Sequence, residues 1–152
     1  MARKWLVGLM ALVLVAVAGY FVQSAIAAPR TQEARAVEVV EDFYGWYLDY
    51  IGQGEIRQNP LVDGAYRERE DLTDAFIGDV DEALVQMAQG GFDPFLLAQD
   101  VPERIEIGEA TVNGDAARVT VLMYWGGNPE PSERTVHLSR TDGAWKIAQV
   151  AF

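Results

Sequence analysis

The sequence predicts an α+β domain. N-terminal helices pack in a curved four-stranded antiparallel sheet, closing as a cone, and an N-terminal export or transmembrane helix precedes them. Three observations carry this. Residues 36–51 repeat apolar side chains at helical spacing over more than half of the helix surface. Asn113-Gly114 and Asp142-Gly143 each sit between apolar runs, and such pairs mark tight hairpins. Around Gly108 the inward parity of a strand changes, which calls for a bulge, and bulges curve sheets.

Each element follows from local chemistry. Ala36, Val40, Phe43, Tyr47 and Tyr50 stack on one face of the first helix. Glu38, Glu41, Asp42, Gly45 and Asp49 gather opposite. An apolar arc this wide is wrapped by other structure rather than laid flat on it. Gly52 and Gly54 end the helix, and Asn59-Pro60 and Asp63-Gly64 mark turns. A second helix is predicted from Leu72, Phe76, Val80, Ala83, Leu84 and Met87, with Asp71 as N-cap and Gly90 as the stop. Residues 91–102 then form a connection too apolar to be a solvated linker. Strands are predicted over 103–112, 116–125, 133–140 and 145–152, with a longer loop at 126–132.

The N-terminus carries an address. Arg3 and Lys4 precede an uncharged, mostly apolar run from Trp5 to Ala28. A basic start followed by such a run is the signature of export, with the cations held on the cytoplasmic side. Two readings are open. Ala25-Ile26-Ala27 offers a signal-peptidase site, and about 20 apolar residues also suffice for an uncleaved membrane anchor. The expected organisation is residues 1–28 as signal peptide or signal anchor, 29–35 as linker, and 36–152 as one domain. Either way the domain is expected outside the cytoplasmic membrane: secreted, periplasmic or anchored, touching the membrane only through the N-terminal segment.

Charge and composition exclude several functions. Twelve Lys and Arg face 23 Asp and Glu, for a net charge of −11. Loss of Arg3 and Lys4 with the export segment would make the domain more acidic still. This balance argues against nucleic acid and against anionic lipid heads. With no cysteine there is no disulfide, no thiol chemistry and no lipid-accepting cysteine. One histidine and no cysteine make a poor zinc set, and Asp79, Asp81 and Glu82 lack the glycine turn of a calcium loop. These acids read as the solvated face of the second helix. No phosphate loop, dinucleotide fingerprint or G-x-S-x-G elbow occurs. The sequence implies no cofactor and no metal.

The chain resembles an exported bacterial family. Asp42-Phe43-Tyr44-Gly45-Trp46-Tyr47-Leu48, Asp93-Pro94-Phe95-Leu96 with Gln99-Asp100, and Asp142-Gly143-Ala144-Trp145-Lys146-Ile147 with Val150 carry the likeness. The family is the domain of unknown function 3828, within the nuclear-transport-factor-2-like (SnoaL-like, cystatin-like) superfamily. The resemblance implies an envelope protein. It also implies a homodimer through the open sheet face. The superfamily holds ligand binders, partner-binding domains and small isomerases or hydrolases, so fold alone selects no activity.

The candidate binding residues are Tyr44 and Trp46 at the edges of the aromatic stripe, Asp93, Gln99 and Asp100 in the apolar connection, and His137 in the third strand. Each has a structural reading beside the functional one. Tyr44 and Trp46 fit core packing. Asp93 fits turn capping. His137 shares a face with Thr135 and Ser139, against Val136 and Leu138, and could be an exposed strand histidine or a base inside the cone. No catalytic set is assigned. The sequence favours a non-catalytic extracytoplasmic domain that binds a partner protein or small ligand at the envelope. A SnoaL-like isomerase or hydrolase using His137, Asp42 or Asp100 inside the cone is the alternative.

Overall fold

A computed structural model describes residues 30–52, 58–87 and 90–152. Residues 1–28, expected from the sequence to be an export segment, lie outside them. Thr31–Phe152 forms one compact unit. Among the described residues no helix is long and apolar enough to cross a membrane.

Helix α1 spans Gln32–Gly52, and Ala36, Val40, Phe43, Tyr44 and Tyr47 are its buried residues. It starts four residues before the predicted boundary, so most of the expected linker is helical. Thr31 explains this: its Oγ1 accepts from the Ala34 amide at 3.2 Å, satisfying a first-turn donor. A 3₁₀ turn, Ala65–Glu68, follows, entered through Gly64 at φ +73°. A side chain at Gly64 would be strained there and would meet the Arg67 guanidinium.

Helix α2 spans Asp74–Met87. The predicted cap at Asp71 is corrected to Thr73, whose Oγ1 accepts from the Phe76 amide at 3.2 Å. Leu72 is therefore not helical. It bridges Ile147 in parallel, with the Thr73 amide donating to Ile147 and the Ile147 amide to Asp71. Residues 71–73 thus cover the outer edge of the last strand.

The four strands are β1 (Arg104–Asn113), β2 (Ala116–Tyr124), β3 (Ser132–Thr141) and β4 (Ala144–Ala151), paired antiparallel in the order β1-β2-β3-β4. The predicted α+β meander is present, within a residue or so at each strand end. The register slips between Ile107 and Ala110, where the parity change called for a bulge. A second slip between β3 and β4 past His137, leaving Ala148 unpaired, was not predicted. One face of the sheet supplies Val119, Val121, Met123, Val136, Leu138, Trp145 and Ile147 to a core completed by α1 and by Tyr66, Leu72, Phe76, Val80, Phe95 and Leu96.

Candidate functional site

The connection at 93–98 is held by a dense set of hydrogen bonds. Its backbone is satisfied almost atom by atom, as buried polar groups require. Asp93 Oδ1 accepts from the amides of Phe95 at 2.8 Å and Leu96 at 3.1 Å. The Asp93 carbonyl accepts from the Leu97 amide, and its own amide donates to Ala98. The Tyr44 hydroxyl donates to the Phe95 carbonyl at 2.8 Å. Arg134, 3% exposed, donates to the carbonyls of Leu96 and Leu97 at 2.9 and 3.3 Å. The remaining Arg134 donors reach Ser132 Oγ and the Glu133 carbonyl. The Phe152 ring lies 4.3 Å from its guanidinium carbon. Leu97 adopts φ +50°, a conformation costly for leucine and held here by its neighbours.

Tyr47 closes the knot by donating to Asp93 Oδ2. Burial raises the Asp93 carboxyl above its ordinary 3.8, outweighing the Tyr47, Phe95 and Leu96 hydrogen bonds that lower it. Burial first, then the Asp93 charge, raises both Tyr44 and Tyr47, so both remain neutral donors. A carboxyl that holds its proton more tightly when folded contributes stability below 3.8 and loses it as pH rises through the higher folded value. Asp93→Asn imitates the protonated form. It should therefore gain on the wild type as pH is raised from about 4 towards 7, measured by urea unfolding at three pH values. Asp93→Ala should cost about 2–4 kcal/mol near pH 4 and less towards pH 7, losing the cap and stranding the Tyr47 hydroxyl.

Just past the knot the chain turns outward. Gln99 and Asp100 are exposed, and with Asp93 they line a cavity of about 440 Å³ whose apolar wall is Ile51, Leu61, Leu96 and Val101. The indole of Trp125 holds the Asp100 carbonyl at 3.1 Å, leaving its carboxylate free to face outward. Phe92, 59% exposed, and Val62, 82% exposed, neighbour lining residues in sequence. This end of the domain thus presents apolar surface rimmed by amides and carboxylates.

The six candidate residues therefore separate. Asp93, Gln99 and Asp100 come together, with Asp93 as the fastening and the other two as the presented surface. Tyr44 takes the core-packing reading, with its ring buried and its hydroxyl donating to Phe95. Trp46 is half-buried under Arg69, whose guanidinium carbon lies 4.6 Å from the indole ring and whose charge pairs with Asp71. His137 lies on the sheet face away from the core, the first of its two readings, because its neighbours Val136 and Leu138 fill that core. Asp42 is exposed too. Tyr50, placed on the buried face, is half-exposed and donates to Asp63. Asp81, read as solvated, accepts from Tyr66 and Arg67, and the Tyr66 hydrogen bond, then Arg67's, lowers its carboxyl. Arg134 was missed, although strand parity puts it on the same face as Val136 and Leu138.

The fold class is thus an α+β domain with two helices and a four-stranded antiparallel meander. No family model matches the chain, and no curated protein is significantly similar to it. Among solved structures it is similar to a chain in the type VI effector-immunity complex Tae3-Tai3 from Ralstonia pickettii. The native complex gives 24% identity over 80% of this chain and 95% of that one, at a TM-score of 0.58. The selenomethionine form gives 26% identity over 76% and 94%, at 0.53. A protein of unknown function from Bacteroides thetaiotaomicron is similar at 24% identity over 79% and 91%, at 0.54.

Proposed function

We propose that this chain is a non-catalytic recognition domain that works outside the cytoplasm. It binds a partner protein of effector type through the cavity of Gln99, Asp100 and Val101, in the immunity role. The observation that carries this is the likeness, at 26% identity over 94% of its length, to a chain from an effector-immunity complex. Either member of such a complex binds another protein. The non-catalytic role is supported by the buried polar groups: Tyr44, Tyr47, Asp93 and Arg134 are each committed to fixing the 93–98 turn. An acidic chain steers a basic partner, and an apolar cavity with a polar rim accepts a side-chain anchor. Arg3 and Lys4 ahead of the apolar run from Trp5 to Ala28 support a working place outside the membrane. Membership of the domain of unknown function 3828 family and of the nuclear-transport-factor-2-like superfamily is part of this proposal.

A photo-crosslinking residue at Gln99, compared with one at the exposed Thr141 on the far hairpin, tests it in the native host. A single protein should crosslink at position 99 only. Asp100→Lys should then weaken the purified pair by about tenfold or more, read by calorimetry. No crosslink above the control, or equal affinity of the Asp100→Lys variant, would overturn the assignment. Intact-mass analysis of the same material reports whether cleavage follows Ala27.

A further inference from the structure

The outer face of the sheet carries a second constellation. Arg118 on β2 pairs in register with His137 on β3, which pairs with Gln149 on β4, while Thr111 on β1 opposes Arg118. The next row holds Asn113, Ala116, Ser139 and Lys146. Neighbouring strands lie about 4.8 Å apart, so a guanidinium and an imidazole stand side by side between a hydroxyl and an amide. A shallow cavity of about 360 Å³ opens here, lined by Thr111, Asn113, Arg118 and His137, with Ala116 leaving the room.

The charge of this patch runs against that of the chain. Arg67, Arg69, Arg104 and Arg140 each hold a carboxylate. Arg118 is exposed and has no ion-pair partner among the described residues. Its five donors include no acceptor, and their fork matches an oxyanion. The net charge of −11 does not decide the local potential, because the Debye length is about 8 Å at physiological salt. Glu133 sits four residues along β3 from His137, about 13 Å away. Glu106 lies beyond the β1 bulge, and Asp115 is held by Arg140. Glu109, exposed in that bulge two residues from Thr111, is the nearest acid along β1 and sets that side of the patch.

We infer that this patch is a binding site for a small molecule bearing an oxyanion, a carboxylate or a phosphate. Arg118 supplies the fork, and His137, Thr111 and Asn113 the flanking donors. The site shares no residue with the cavity at Gln99 and Asp100, so it stands or falls independently of partner recognition.

The chain has one histidine, which makes the site directly readable. The imidazole Cε1–H resonance of His137 in the full-length, isotope-labelled chain in detergent micelles is followed while citrate or inorganic phosphate is added. A saturable shift with at least one of them is expected, with none from sodium chloride at matched ionic strength. Citrate alone would assign a carboxylate ligand, and phosphate alone a phosphate. Arg118→Gln, at an exposed position that leaves the core intact, should weaken the response about tenfold. A non-saturating shift shared with chloride, or an unchanged response in Arg118→Gln, would overturn the site. So would a homodimer over this face whose formation moves the resonance while neither anion does.

Discussion

Arg134→Ala should destabilise the domain by about 3–5 kcal/mol, a large part of the roughly 5–15 kcal/mol that holds a typical domain together. The side chain is buried, and no carboxylate pairs with it among the described residues. Its charge is spread over the carbonyls of Leu96, Leu97 and Glu133, the Ser132 hydroxyl and the Phe152 ring. Burial lowers its pKa, with Tyr44 acting in the opposite direction. Removal leaves the two turn carbonyls without donors and opens a void beneath them. Arg134→Lys keeps a charge but cannot reach two carbonyls as a planar fork, so it should recover only part of the loss. Urea unfolding of the three proteins gives the comparison. Equal stability of the lysine variant and the wild type would show that charge alone suffices.

Phe95→Ala is the second large effect, again about 3–5 kcal/mol. The ring is fully buried and meets Phe43, Tyr47, Tyr66 and Phe76 with centroids 5.0–5.9 Å apart, all edge-on. Edge-to-face pairs of this kind add about 0.5–1.5 kcal/mol beyond area burial, and four share one ring here. Thermal melts followed by near-ultraviolet circular dichroism should show both the lower midpoint and a loss of aromatic signal before the transition. A loss under about 1.5 kcal/mol would mean that the neighbouring rings collapse into the space.

The Phe95 site and the Arg134 site differ in how far the sequence announced them. Helix α1 was legible because sixteen residues keep one period. The hairpins were legible because Asn-Gly and Asp-Gly fix turn type, and the β1 bulge because Ile105 and Ile107 disagree in parity with Ala110 and Val112. Leu72 misled because its spacing to Phe76 fits a helix, while only the capping geometry shows that Thr73 begins one. Arg134 was hidden by its charge, since its parity alone points inward. The capping role of Asp93 was one of two readings the residues allowed, and its partner Tyr47 lies 46 positions away, beyond local pattern. His137 needed knowledge of which sheet face is covered, and the flanking Val136 and Leu138 held that information.

The turn at 93–98 also has a meaning for the order in which the chain organises itself. Its fastenings reach back 51 residues to Tyr44 and forward 38 from Leu96 to Arg134. Closing loops of that length costs entropy before any contact rewards it, so such pairings form late. The last fastening waits for β3, near the end of the chain. A nascent chain that has emerged only as far as β2 lacks the guanidinium that holds the turn's carbonyls. The turn is therefore fully fastened only once β3 has joined the sheet, and until then its carbonyls must find other donors.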